Sequence, residues 1–310
     1  MELLQNMRIE IFGGNMGIGD TLKKIRLNRN MTQNQVAEGV VNQGTYSRIE
    51  RNQLQVDVEL LEKLLQKFNI SSNEFFYVHN NYSATEQQTI MQEFRDLAIV
   101  SPDLLKIKID RLENFLAKTP STNLNKIHSA YQILFHYING VENEKNQAQA
   151  MVIWEEFQRL DNWYIDDLIL LNSLLFLLPL EIAEDITKTA LQRIRKYKEY
   201  EKDLTYLEIY LQMDLSVIYI EHQQYDIALH KLNYIEKTYK QKMNYQTLAG
   251  LFFNKSICYL FLKDQYNEEF SKIKLLLEIY DDQALLNMLL QNFEELQCQL
   301  EFRPYNPSSL

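Results

Sequence analysis

Apolar residues recur every three or four positions from Asp20 onward, and at first the pattern breaks so often that only short helices fit. Asp20 can cap the first helix, which turns Leu22, Ile25 and Arg26 to one side. Thr32 caps a second, because its hydroxyl can accept from a free backbone amide while Val36 and Ala37 face inward and Gln33 and Gln35 do not. Residues 39–41 interrupt that helix. A third is predicted over 43–52, a fourth over 56–68, and a fifth over 72–77 behind the capping Ser71. Together they make a small domain over 20–78. Residues 79–85 are polar and weakly periodic and read as a linker whose Thr85 caps the next helix. Residues 1–19, with Gly13, Gly14, Gly17 and Gly19, read as a flexible leader; these glycines do not follow a strand in a βαβ setting, as a phosphate-cradling loop requires.

From 86 to 302 the pattern is helix after helix with no strand signal, ahead of a tail at 303–310. Self-comparison shows why. Leu168/Ser173/Phe176, Leu211/Ser216/Tyr219 and Leu251/Ser256/Tyr259 repeat one spacing, with successive copies 43 and then 40 residues apart. The second and third copies are followed by QQYDIALHKL (223–232) and DQYNEEFSKI (264–273), each placing a Gln-Tyr turn before a partner helix. A small residue where helices cross and an aromatic one turn later are what stacked helix pairs need. The closing segment, 283–300, carries a broad apolar stripe through Leu285, Leu286, Leu289, Leu290, Phe293 and Leu296, suited to capping the stack or meeting a second chain.

Composition agrees with an all-α chain: 46% of the 310 residues are hydrophobic, but only eight are Gly and five Pro, which leaves little turn chemistry for sheets. The net charge of -10 argues against a general affinity for nucleic acid or an anionic membrane. Its distribution changes that picture locally. Between Asp20 and Asn52, Lys23, Lys24, Arg26, Arg29, Arg48 and Arg51 outnumber Asp20, Glu38 and Glu50, so one small region can meet phosphate. Cys258 and Cys298 form no C-x-x-C and indicate neither a disulfide framework nor a zinc site, which fits a reducing cytoplasm. The longest apolar run, 168–180, is interrupted by Asn172, Ser173 and Pro179 and is too short to span a bilayer. The five histidines stand singly, and the adjacent pairs Asp166-Asp167 and Asp281-Asp282 point about 100° apart on a helix, so neither a metal site, a cofactor site nor a catalytic centre is predicted.

Two short helices joined by a tight turn, the second bearing short polar side chains and an Arg, have the geometry that lays a helix in the DNA major groove. A Gln amide can bond an adenine edge, Arg matches guanine or phosphate, and Thr45 and Tyr46 suit a thymine methyl or the backbone. Gln33, at the start of the second helix, points toward where phosphate would lie. In MTQNQVAEGVV and YSRIERN the segment resembles the lambda-repressor-like (XRE-type) helix-turn-helix family. The resemblance implies that Thr32 and Gln33 clamp the DNA backbone, that Asn42, Gln43, Gly44, Thr45, Tyr46, Arg48 and Arg51 lie on or beside the reading helix, and that Arg26 pairs with Glu50. The sequence departs at the turn, where the family's Gly is missing and Val40-Val41-Asn42 makes the turn one residue shorter.

That shorter turn, the SRIE helix, the Leu-rich helix after it and the NISSNEFF ending look like the Rgg (GadR/MutR) branch of these regulators. The resemblance implies a right-handed, tetratricopeptide-like repeat array behind the helix-turn-helix domain. It further implies a cytoplasmic homodimer on an inverted-repeat operator of double-stranded DNA, responsive to a short imported signalling peptide in quorum sensing. The residues themselves point to a groove in the array. If Ser216 and Tyr219 mark the contact within a helix pair, Tyr210, Met213, Asp214 and Val217 lie toward the other edge of the same helix. Phe253, Asn254 and Ile257 follow in the next copy, and Asp167, Leu170 and nearby Asn172 precede them. Such a face, mostly apolar with scattered Asn and Asp, suits a short hydrophobic peptide whose backbone needs a few partners. Two rival readings fit the same residues: a ligand-independent repressor whose array only dimerises, and a scaffold whose array grips a partner protein.

Overall fold

A computed structural model of the protein describes residues 17–96, 101–141, 143–262 and 267–301. The described residues contain sixteen α-helices and no strand. The chain divides into two units between Glu93 and Phe94.

The first unit contains α1 (Ile18–Asn28), α2 (Gln33–Ala37), α3 (Gln43–Glu50), α4 (Val58–Phe68) and α5 (Ser72–His79), and α6 (Glu86–Arg95) crosses the division. Side chains start these helices where the sequence supplies them. Thr32 Oγ1 accepts from Gln35 N at 3.2 Å while Gln35 Oε1 accepts from Thr32 N at 2.7 Å, a reciprocal cap. Asn42, Asp57 and Ser71 accept from the amides of Thr45, Leu60 and Glu74 in the same way. Because Asp57 takes the cap, α4 begins two residues later than its apolar pattern suggests. Leu22, Ile25, Val36, Tyr46, Ile49, Leu64, Phe68 and Phe75 meet in one core.

One expectation needs correction here. The leader does not run through residue 19: Gly17 to Gly19 open the first helix, and Gly19 N donates to Asn52 Oδ1 at 2.9 Å. A Cβ on Gly19 would stand 1.9 Å from the Ile49 carbonyl oxygen, so this glycine allows α1 and the end of α3 to touch. Gly39, where the break in the pattern begins, has φ +74° just past Glu38, the C-cap of α2. Only Gly takes that left-handed conformation without a steric penalty.

The second unit runs through α7 (Pro102–Leu116), α8 (Thr122–Ile138), α9 (Asn143–Gln158), α10 (Ile165–Leu174), α11 (Leu180–Ile194), α12 (Thr205–Glu221), α13 (Tyr225–Tyr239), α14 (Tyr245–Phe261), α15 (Asn267–Ile279) and α16 (Gln283–Glu301). Consecutive helices from α11 onward pack on one another, and α8, α10, α12, α14 and α16 each pack on the next of their own set. One layer of alternate helices therefore runs through the unit, as in a stack of helix pairs. The repeat explains the register. Leu168, Leu211 and Leu251 are wholly buried, as are Ser216 and Ser256. Each serine hydroxyl donates to a carbonyl of its own helix, Ser216 to Gln212 at 2.8 Å, Ser256 to Phe252 at 2.9 Å and Ser173 to Leu170 at 2.8 Å. A small residue thus fits the crossing without leaving a polar group unpaired.

Farther along, Lys255 of α14 bonds Glu236 of α13 at 2.7 Å and Glu269 of α15 at 2.9 Å, tying three successive helices with a buried cation. No helix among the described residues is long and apolar enough to cross a membrane. The leader through residue 16, the Gln265-Tyr266 turn, the 303–310 tail and the side chain of Cys298 lie outside the described residues.

Candidate nucleic-acid interface and repeat groove

Helix α3 is held from beneath by a buried ion pair. Arg26 of α1 donates from Nε to Glu50 Oε1 at 2.6 Å and from Nη2 to Oε2 at 3.1 Å, and its Nη1 reaches the Met31 carbonyl at 2.8 Å. The pairing inferred from family resemblance is therefore present. Burial alone would push the Glu50 carboxyl up; the hydrogen bonds from Arg26 and Gln33 outweigh it and hold the group below the usual carboxylate range. Gln33 Nε2 donates to Glu50 Oε2 at 2.8 Å, so the first residue of α2 is fixed to the last of α3. That amide nitrogen carries a second hydrogen for an outside acceptor.

Above this support, Thr32, Asn42, Gln43, Gly44, Arg48 and Arg51 are exposed and Thr45 is half-buried. Asn42 is committed through Oδ1 to the cap of α3. Gln43, Gly44 and Arg48 form one continuous outward strip, since positions four apart share a helix face. Tyr46 does not belong to it. Its side chain is fully buried in the core beside Ile49, and the assignment to DNA contact is corrected on that ground. The three-residue step from Tyr46 to Ile49 is the inward face of α3.

Two neighbours escaped the sequence reading. Ser47 stands half-exposed one turn beyond Gln43, and an i to i+4 step from Gln43 would have found it. Lys67 of α4 brings its ammonium 4.0 Å from where a Cβ on Gly39 would lie, placing a cation at the turn. No local pattern could have shown this, because 28 residues separate the two in sequence.

In the second unit the groove positions sort into four groups. Asn172 of α10 donates from Nδ2 to Asp214 Oδ2 of α12 at 2.9 Å, joining adjacent helices of the continuous layer. Asn172 Oδ1 is buried and has no hydrogen-bond partner among the described residues. Burial pushes the Asp214 carboxyl up to about 7, with the Asn172 amide opposing the shift. Tyr210, Val217, Phe253 and Asn254 are half-buried, with Tyr210 edge-on to Tyr206 and Phe253 edge-on to Phe293 of α16. Leu170, Met213 and Ile257 are at most 9% exposed and act as floor packing; the Met213 methyl lies 3.7 Å from a Cβ placed on Gly250. Asp167 turns to its own helix, accepting from Tyr164 N at 2.8 Å as the cap of α10.

A buried scaffold that presents one exposed polar helix, followed by a layered helical array, defines a helix-turn-helix transcriptional regulator. Residues 22–75 match the family described as Helix-turn-helix. The fold of nearly the whole chain recurs in solved structures at low identity. PlcR of Bacillus thuringiensis, solved in complex with the peptide PapR7 and DNA, is 17% identical with a TM-score of 0.62, covering 88% of this chain and 98% of that one. The SHP pheromone receptor Rgg2 of Streptococcus dysgalactiae is 15% identical, TM-score 0.65, covering 90% and 99%. A protein of Listeria monocytogenes EGD-e is 14% identical, TM-score 0.72, covering 94% and 100%.

Proposed function

We propose that this regulator binds double-stranded DNA as a homodimer at an inverted repeat and answers to a short apolar signalling peptide held by its second unit, in the cytoplasm where its DNA lies. Peptide occupancy then sets how the dimer offers its two reading helices. In this reading Gln43, Gly44, Thr45 and Arg48 meet bases and nearby phosphates, while Thr32, Gln33 and Arg51 hold the DNA backbone and Asn42 fixes the start of the reading helix. A two-fold dimer reads a site of matching symmetry.

The observation that carries the peptide half of the proposal is the Asn172–Asp214 bridge. It places a carbonyl with no partner among the described residues, and a carboxyl, among mostly apolar groove positions, and an extended peptide backbone offers the N–H groups both can accept. Tyr210, Met213, Val217, Phe253 and Ile257 supply the apolar surroundings, with Leu170 beneath and Asn254 one repeat on. The folds of PlcR and Rgg2, solved as a peptide-bound and a pheromone-receptor protein, support the same assignment.

The test is selection of bound genomic fragments by the purified chain, with and without extract of spent culture medium. Enrichment of an inverted repeat whose retention changes with the extract is the expected result. Enrichment indifferent to the extract overturns the peptide response and leaves a ligand-independent repressor; no enrichment at low salt overturns the DNA reading in favour of a scaffold.

A further inference from the structure

Behind α12, away from the groove positions, lies a concavity. It is a cleft of about 480 Å³ walled by α11, α12 and α13, within the span of small-molecule sites, roughly 300–1,000 Å³. Its α12 residues, Gln212, Leu215 and Tyr219, lie about 180° around the helix from Tyr210, Met213, Asp214 and Val217 at the helical 100° per residue. The two faces of α12 therefore serve separate surfaces.

Apolar atoms of Leu191, Leu215 and the Tyr219 ring form the inner walls. Among them Thr187 is 3% exposed, yet its Oγ1 has no hydrogen-bond partner among the described residues. A buried hydroxyl left unpaired costs free energy unless something arrives to bond it. The Tyr219 hydroxyl donates to Glu184, whose side chain also lines the cleft, across the α11–α12 contact. At the outer end stand two cations without a carboxylate partner among the described residues: Lys188, exposed, and Lys231, whose ammonium sits over the Tyr219 ring 5.1 Å from its centroid. Tyr234 beside them is 53% exposed.

We propose that this cleft is a ligand site for a small aryl carboxylate bearing a distal hydroxyl. The carboxylate lies at the mouth between the ammonium groups of Lys188 and Lys231, the ring packs on Leu191, Leu215 and Tyr219, and the hydroxyl reaches Thr187 Oγ1. Charge selects the sign of the outer group, apolar walls select the body, and the lone buried hydroxyl selects a polar inner end. The site does not depend on peptide binding by the opposite face of α12.

Calorimetry on the full chain with three probes tests each part: 3-(4-hydroxyphenyl)propionate, 3-phenylpropionate and the uncharged 4-propylphenol. The hydroxylated carboxylate binds most tightly. Thr187→Val, which replaces the hydroxyl by a methyl of equal size, removes its advantage over the phenyl compound and leaves the melting temperature unchanged or raised. The double variant Lys188→Glu/Lys231→Glu weakens both carboxylates by roughly tenfold or more and leaves 4-propylphenol unaffected. The proposal is overturned if neither carboxylate binds up to its solubility limit, if charge reversal leaves carboxylate affinity unchanged, or if Thr187→Val preserves the preference for the hydroxylated probe.

Discussion

Single residues carry most of the chemistry in the first unit, and their environments separate two kinds of contribution. Arg26 and Glu50 are both buried and hydrogen-bonded to each other, so removing one leaves the other charged and unpaired. Arg26→Met is expected to destabilise the first unit by roughly 3–5 kcal/mol, measured by denaturant unfolding followed on that unit. The effect has a pH signature. Glu50 titrates below the usual carboxylate range in the folded chain, so its contribution is present above the unfolded value near 4.5 and is lost as pH falls through the folded one. Arg48, exposed and unburdened by the core, behaves oppositely: Arg48→Ala leaves stability unchanged, weakens operator binding and lowers the salt slope of affinity by about 1. An unchanged slope in a salt titration would remove Arg48 from the phosphate or base contacts. Gln43→Ala relaxes preference at one base position, whereas Gln33→Ala weakens all sites alike and also loses the Glu50 contact.

At the scale of elements, register is set where backbone or small side chains must approach. Gly39→Ala forces a Cβ into the left-handed region and is expected to cost about 1–2 kcal/mol, read as a lower melting temperature. The repeat serines act by size: Ser216→Leu would drive a large group into the α12 crossing, where the residue has no exposure at all. Much of this was legible beforehand. The caps of α2 and α5, the break after Ala37 and the Leu/Ser/aromatic repeat are local signals, written within a few residues of where they act. Tyr46 was misassigned because a tyrosine on a reading helix satisfies both a DNA contact and a core site, and only the packing of α1 and α2 on α3 decides between them. At Gly39 the break was legible but the backbone φ was not, because φ is a property of the finished turn.

For the whole molecule, buried ionisable groups set how stability responds to pH. Asp214 is protonated in the folded chain up to about 7, well above its unfolded value of 3.8. The unfolded state therefore loses its proton first, and stability falls as pH rises from about 4 to about 7 before levelling off. Asp214→Asn removes that segment of the pH profile, which thermal melts at a series of pH values would show; an unaltered profile would mean that Asp214 is solvated. The sequence by itself determined the all-α class, the small capped helices at the front, the repeat spacing behind them and the one basic stretch in an acidic chain. These depend on periodicity, capping and composition, which are local. Tertiary structure alone decided that Asn172 meets Asp214 across 42 residues, that Lys255 is held by Glu236 and Glu269, and that the buried Thr187 hydroxyl lines a cleft with no partner among the described residues. Pairing and burial are relations between distant segments, and chain packing fixes them.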